Sequence, residues 1–160
     1  MIDSRNVINY EFEQHTQTAP LFRVADRYAE IVVVRLADIL VTEFVGPCGK
    51  SLVQKYTKKL EQVVRQFNSK PWAYLSVSRN FDALTDEAVT ALVESFAFCT
   101  RHGCVADAYI INSPVGKHQV AAIRKQFSVA RAFDDVLFTQ FDDAFEFLSL
   151  ELARIAIEYN

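Results

Sequence analysis

Four glycines and four prolines in 160 residues supply too little chain-breaking chemistry for a linker-rich, collagen-like or low-complexity protein. The three cysteines, Cys48, Cys99 and Cys104, are an odd number, so they make no disulfide framework and fit a reducing compartment as free thiols. Long apolar runs are missing as well. Ile31–Val34 and Ile39–Val41 fall far short of the ~20 residues that cross a bilayer, and no charged-then-apolar leader opens the sequence. The expectation is a cytoplasmic protein with no membrane span. Excess basic charge is also absent: 17 Lys and Arg stand against 20 Asp and Glu. A net charge of -3 argues against general nucleic-acid binding, which needs a basic surface to neutralise phosphates.

What is present is hydrophobic and well patterned. Hydrophobic residues make up 51% and charged residues 23%, enough for one globular domain with a sizeable core. Charge is unevenly placed. Lys50, Lys55, Lys58, Lys59, Arg65 and Lys70 face only Glu61 in one segment, while Asp134, Asp135, Asp142, Asp143, Glu146, Glu151 and Glu158 make the C-terminal end acidic. Two solvated helix faces account for this, and so does a pair of poles for a partner or a second copy.

The stretch Pro71 to Cys104 organises the chain. Trp72-Ala73-Tyr74-Leu75-Ser76-Val77-Ser78 has apolar or small residues on both parities, which predicts a strand covered on both faces. A polar turn, Arg79 to Leu84, leads into a helix capped by Thr85, whose first turn carries Asp86 and Glu87 at the positive end of the helix dipole. Ala88, Val89, Leu92, Val93, Phe96 and Cys99 form its apolar stripe, and Gly103 ends it.

Upstream, residues 1–29 read as an extension packed on the domain, with Ile8, Tyr10 and Phe12 alternating as in a short strand. Glu30–Leu36 and Asp38–Val45 are β-branched-rich runs that meet at Ala37-Asp38, predicting an antiparallel hairpin at the start of a 30–160 domain. Gly46-Pro47-Cys48-Gly49 breaks the second run, and Ser51 stands where a cap would. Leu52, Val53, Tyr56, Leu60, Val63, Val64 and Phe67 then mark a helix that Asn68-Ser69-Lys70-Pro71 stops. Downstream, Val105–Asn112 predicts a strand, and Ser113-Pro114 opens a helix to about Phe127. Ala132–Phe138 reads as a last strand. Phe141, Ala144, Phe145, Leu148, Leu152 and Ile155 mark a terminal helix, and Phe147, Leu150 and Ile157 lie off its stripe, which suggests a homodimer through that helix.

No catalytic, cofactor or metal constellation completes itself. Gly46 to Ser51 ends like a phosphate-binding loop, but its two glycines are too close together to wrap phosphates. Cys99, His102 and Cys104 lack a fourth ligand, and His15, His102 and His118 lack a nucleophile and acid to act with. Lys117, His118, Arg124 and Lys125 make either an anion site or a solvated face. Thirteen Phe, six Tyr and one Trp supply the core, and are also enough to line a pocket for a small apolar ligand beneath the two helices that follow Thr85 and Ser113.

From Glu30 to Leu148 the chain resembles STAS-like domains, the group of anti-sigma-factor antagonists and sulfate-transporter cytoplasmic domains. The likeness rests on the hairpin, Gly46-Pro47 before a long helix, Pro71-Trp72-Ala73-Tyr74-Leu75, Thr85-Asp86-Glu87-Ala88 opening a helix, and the closing Phe141-Asp142-Asp143-Ala144-Phe145-Glu146-Phe147-Leu148. It implies an α/β fold: a mixed sheet with helices mainly on one face, acting without catalysis as a regulatory or protein–protein interaction module. It also implies recognition of an unknown protein partner through Phe81, Asp82, Leu84, Thr85 and Asp86. Regulated members carry a phosphorylated serine in an Asp-Ser-Ser-Gly-like turn. Here acids stand where serines would, and Thr85 is the only nearby hydroxyl. The alternative to an interaction module is a carrier or sensor with a small apolar ligand in the cavity beneath the helices.

Overall fold

A computed structural model describes residues 19–127 and 129–158. The strand read from Ile8, Tyr10 and Phe12 lies outside the described residues. Six strands form one mixed sheet. In chain order the elements are β1 (Phe22–Ala25), β2 (Glu30–Leu36), β3 (Ile39–Cys48), α1 (Lys50–Arg65), β4 (Trp72–Ser78), β5 (Phe81–Leu84), α2 (Asp86–Arg101), β6 (Cys104–Ile111), α3 (Pro114–Arg124), a 3-10 turn (Phe133–Val136) and α4 (Phe141–Glu158).

The hairpin is as the β-branched runs predict, with Leu36 opposite Ile39 and Ala37 turned to a φ of 54°. Strands β3, β4 and β6 then run parallel, each linked to the next by a helix crossover. Period-two alternation divides β4 between two cores. Ala73, Leu75 and Val77 pack with Phe141, Ala144 and Leu148 of α4, while Trp72 and Tyr74 pack with α1, α2 and α3 on the other face. Among the described residues, three helices lie on one face and one on the other, the expected mixed α/β architecture.

Four local readings need correction. Phe81–Leu84 is not a free turn but strand β5, paired in parallel with the end of β3 at Gly46 and Cys48 through an irregular register. Ala132–Phe138 is not a strand. The Asp135 amide bonds back to the Ala132 carbonyl in a 3-10 turn, and only Leu137 bridges to Tyr109. Two successive acids favour that local turn over a pleated strand in which one of them would face the core. Phe22–Ala25, assigned with the extension, is edge strand β1, antiparallel to β2. Gly49 rather than Ser51 is the N-cap of α1.

Gly46 holds a φ of +78°, and a Cβ there would stand 2.4 Å from the Tyr28 carbonyl oxygen. The close approach of these backbones requires glycine on both counts. Asn68 and Ser69, both at positive φ, end the chain's run after α1 before β4 starts at Trp72. On α4, Phe147 packs against Phe138, whereas Leu150 and Ile157 are exposed.

Candidate functional site

The five residues expected to meet a partner divide into two groups. Phe81 and Leu84 are buried. Phe81 meets Phe44 edge-on with ring centroids 6.0 Å apart, and Gly116 of α3 packs so closely on its ring that a Cβ would stand 2.7 Å away. Asp82, Thr85 and Asp86 are exposed. The inward pair is core and the outward three form a polar rim.

That rim is held firmly. The Gln119 side chain of α3 clamps Leu84: its Oε1 accepts from the Leu84 amide and its Nε2 donates to the Leu84 carbonyl, both at 2.9 Å. The Ser113 hydroxyl donates to the Asp82 carbonyl at 2.5 Å and accepts from the Gly116 amide at 3.0 Å, so one side chain both caps α3 and ties it to β5. The Thr85 amide donates to the Cys48 carbonyl, and its hydroxyl accepts from the Ala88 amide at 3.2 Å. Thr85 is therefore the cap that its sequence context predicts. Ser113 is too, but Gln119 is a contact that sequence reasoning missed.

Behind β5 lies an interior cavity of about 70 Å³ between the sheet and α1, α2 and α3. It sits where the aromatic count suggested a pocket. Its sheet wall carries hydroxyls. Thr42 donates to the Tyr74 hydroxyl at 2.6 Å, and Ser76 and Ser78 share a bond of 2.7 Å. The Ser78 oxygen also accepts from the Phe44 amide at 3.2 Å. The helix wall is mostly apolar, with Leu60, Leu92, Val120 and Ile123 beside Ser95 and Thr100. The signal for this wall was in the sequence: Tyr74, Ser76 and Ser78 share one parity of β4, so their hydroxyls point to one face.

At one end of the cavity stands a buried ion pair. Arg124 Nε and Nη2 donate to Asp107 Oδ2 and Oδ1 at 2.7 and 3.0 Å, and the Tyr109 hydroxyl donates to Oδ2 at 2.8 Å. Arg124 thus does not share a solvated face with Lys117, His118 and Lys125, since its side chain is 3% exposed. Next to this pair, a groove of about 230 Å³ runs along the outer side of β6 toward Arg131, Phe147 and Glu151.

The cysteines and His102 serve the core. The His102 ring stacks on Phe98 with centroids 4.0 Å apart, and its Nδ1 lies 2.8 Å from the Phe98 carbonyl oxygen. No cluster of metal-ligating side chains occurs among the described residues. Burial pushes the Cys48 and Cys99 thiols from an ordinary 9.0 up to about 12, and raises Cys104 as well. Tyr74 is likewise pushed up to about 12 by burial, and Tyr56 and Tyr109 are raised well above 10.0.

These shifts fix the sign of an alkaline transition. Above the ordinary thiol and phenol range the unfolded chain has released protons that the folded chain still holds, so stability falls as pH rises. The urea midpoint should be flat to about pH 8 and drop steadily to about pH 11. At about pH 8, a thiol reagent should label Cys48 and Cys99 of the native protein only as fast as it unfolds. Rapid native labelling of either thiol, or an alkaline plateau, would contradict the burial described.

No protein-family model and no curated protein matches the chain. Solved structures do. An anti-sigma factor antagonist from Mycobacterium paratuberculosis superposes with a TM-score of 0.54 at 12% identity, over 79% of this chain and 98% of its own. An uncharacterized protein with a SpoIIAA-like fold from Shewanella loihica PV-4 gives 0.57 at 16% identity, over 78% and 97%. The overall structure of SLC26A9 gives 0.55 at 12% identity, over 92% of this chain and 26% of that one. The fold is STAS-like. In this STAS-like frame, the rim stands at the carboxyl ends of the parallel strands β3 and β6, where open α/β sheets commonly place their functional loops.

Proposed function

We propose that the chain is a non-catalytic regulatory module that docks a protein partner on the rim formed by Asp82, Thr85 and Asp86. The observation that carries this reading is the contrast between the exposed side chains and the rigid backbone beneath them. Gln119 and Ser113 fix β5 from α3, so the rim is a preformed surface with little conformational entropy left to lose on binding. The likeness to an anti-sigma factor antagonist supports a protein as the partner. No helix among the described residues is long and apolar enough to cross a membrane, which is consistent with the cytoplasmic placement we favour.

Asp82→Lys and Asp86→Lys should leave the circular dichroism spectrum and thermal midpoint close to those of the parent, because both side chains are exposed. Reversing a rim charge should nevertheless remove the partner cross-links that map to residues 82–86 when the tagged full chain is cross-linked in its own host. Identical cross-link maps for parent and variants would refute the rim.

A second reading has its own support. The cavity beneath α2 and α3 suits a carrier or sensor of a small, mostly apolar ligand, since its wall combines an apolar lining with a few convergent polar groups. Native mass spectrometry of gently purified protein should then show a retained small molecule.

A further inference from the structure

The cavity and the groove meet. Phe96, Thr100, Cys104, Asp107 and Arg124 line both, so these five side chains form the partition between a small, mostly apolar space and a larger, more polar one. Thr100 is exposed and Phe96 is half-buried, its ring tilted against Phe127 with centroids 4.6 Å apart. The partition combines a helix end, a strand start and an aromatic pair, with Thr100 at its exposed edge and Arg124 almost wholly buried. By contrast, the far end of the cavity is closed by Phe44, Phe81 and Leu84, all buried. The solvent-facing side of the cavity is the groove end, where Thr100 is exposed.

The partition also has a polarity. Arg124 spends Nε and Nη2 on Asp107, and Asp107 accepts a third bond from Tyr109. The carboxylate is well supplied with donors. A guanidinium carries five N–H groups, so Arg124 retains donors beyond the two spent on Asp107 and its hydrogen bond with the Tyr109 side chain, whereas the cavity behind it is mostly apolar on its helix wall. The complement of such a lining is a short apolar tail that ends in an acceptor oxygen. Size limits the tail: an apolar cavity of ~150 Å³ holds a benzene ring, so 70 Å³ takes roughly three carbon atoms.

We propose that the cavity binds a short acyl group, with its tail among Leu60, Leu92 and Val120 and its carbonyl or carboxylate oxygen at Arg124. This rests on the ligand-binding reading above and adds the ligand's chemical class. Two sources share that chemistry. One is a free short-chain carboxylate. The other is an acyl ester, whose alcohol part then continues into the groove along β6.

Three probes of equal tail length separate the possibilities: butyrate, ethyl butyrate and n-butylammonium, each titrated into the full chain by saturation-transfer NMR with thermal shift in parallel. Saturable binding of butyrate, of the ester or of both, with none of butylammonium, is the expected result, and the better binder identifies the source. Equal binding of all three would overturn the acceptor-oxygen assignment while leaving an apolar-ligand cavity standing. Binding of none would overturn both.

Two variants guard against binding elsewhere. Ser95→Leu fills the cavity from α2, where Ser95 is 3% exposed, and should weaken the bound probe about tenfold or more without lowering the thermal midpoint. Asp107→Asn combined with Arg124→Gln removes both charges together, so neither is stranded, and should abolish the preference for acceptor-bearing probes. Unchanged probe binding in both folded variants would place the site elsewhere and refute the assignment.

Discussion

Arg124→Ala should lower the folding free energy by about 3–5 kcal/mol, a large share of the total for a domain of this size. The guanidinium lies almost wholly out of solvent, and its two short bonds hold the Asp107 carboxylate, whose own side chain is 12% exposed. Truncation removes the partner but leaves the anion on the edge of an apolar cavity. The penalty is mainly that of the stranded charge, not of the lost pair. This separates the effect from that of the double variant Asp107→Leu with Arg124→Met, which should recover most of the loss. Urea denaturation of the parent, the single variant and the double variant measures all three. A single variant within about 1 kcal/mol of the parent would mean that water reaches the carboxylate freely.

Trp72→Ala should be as severe, at about 3–5 kcal/mol, for a different reason. Trp72 is fully buried at the start of β4, and its ring stacks on Phe67 with centroids 5.4 Å apart and planes 11° from parallel. Arg35 covers the Phe67 ring from outside at 4.1 Å, so a cation, a phenyl ring and an indole are layered from surface to core. The indole Nε1 donates to the His102 carbonyl at 2.9 Å, and the Trp72 amide donates to the Gly103 carbonyl. One side chain thus joins the end of α1, the end of α2 and the sheet. Alanine leaves a large void and an unpaired carbonyl at the joint. Trp72→Phe should lose less, because a ring remains to stack. The chain holds a single tryptophan, so far-UV circular dichroism rather than fluorescence must follow these variants.

How much of this was legible depended on the range of the interaction. The caps were readable because Thr85 bonds an amide three residues on, and Ser113 does the same at Gly116. The hairpin and the helix stripes were readable from periodicity over a few turns. Strand β5 was not, because its four residues take their partners from Gly46 and Cys48, more than thirty positions earlier, and no local pattern announces that pairing. The rim was half legible. The resemblance directed attention to these residues beside a helix start, but only the β5 pairing decides that Phe81 and Leu84 turn inward.

The Arg124–Asp107 pair left a signal that went unused. Gly116, Val120, Ile123 and Arg124 fall at helical spacing on the buried stripe of α3, and Asp107 interrupts an otherwise apolar strand. A charge on a buried stripe and a charge in an apolar strand predict each other. Instead, proximity in sequence to Lys117, His118 and Lys125 suggested a shared surface.

Strand β5 is touched from two sides. Phe81 and Leu84 close the cavity, while Asp82 between them and Thr85 just after them face outward, all on a few residues clamped by Gln119 and Ser113. A segment this short offers a direct route by which pressure on its inner side chains would reach its outer ones. Thermodynamic reciprocity then applies: if filling the cavity changes the affinity of a docked protein by some factor, docking changes the affinity of the cavity's occupant by that same factor.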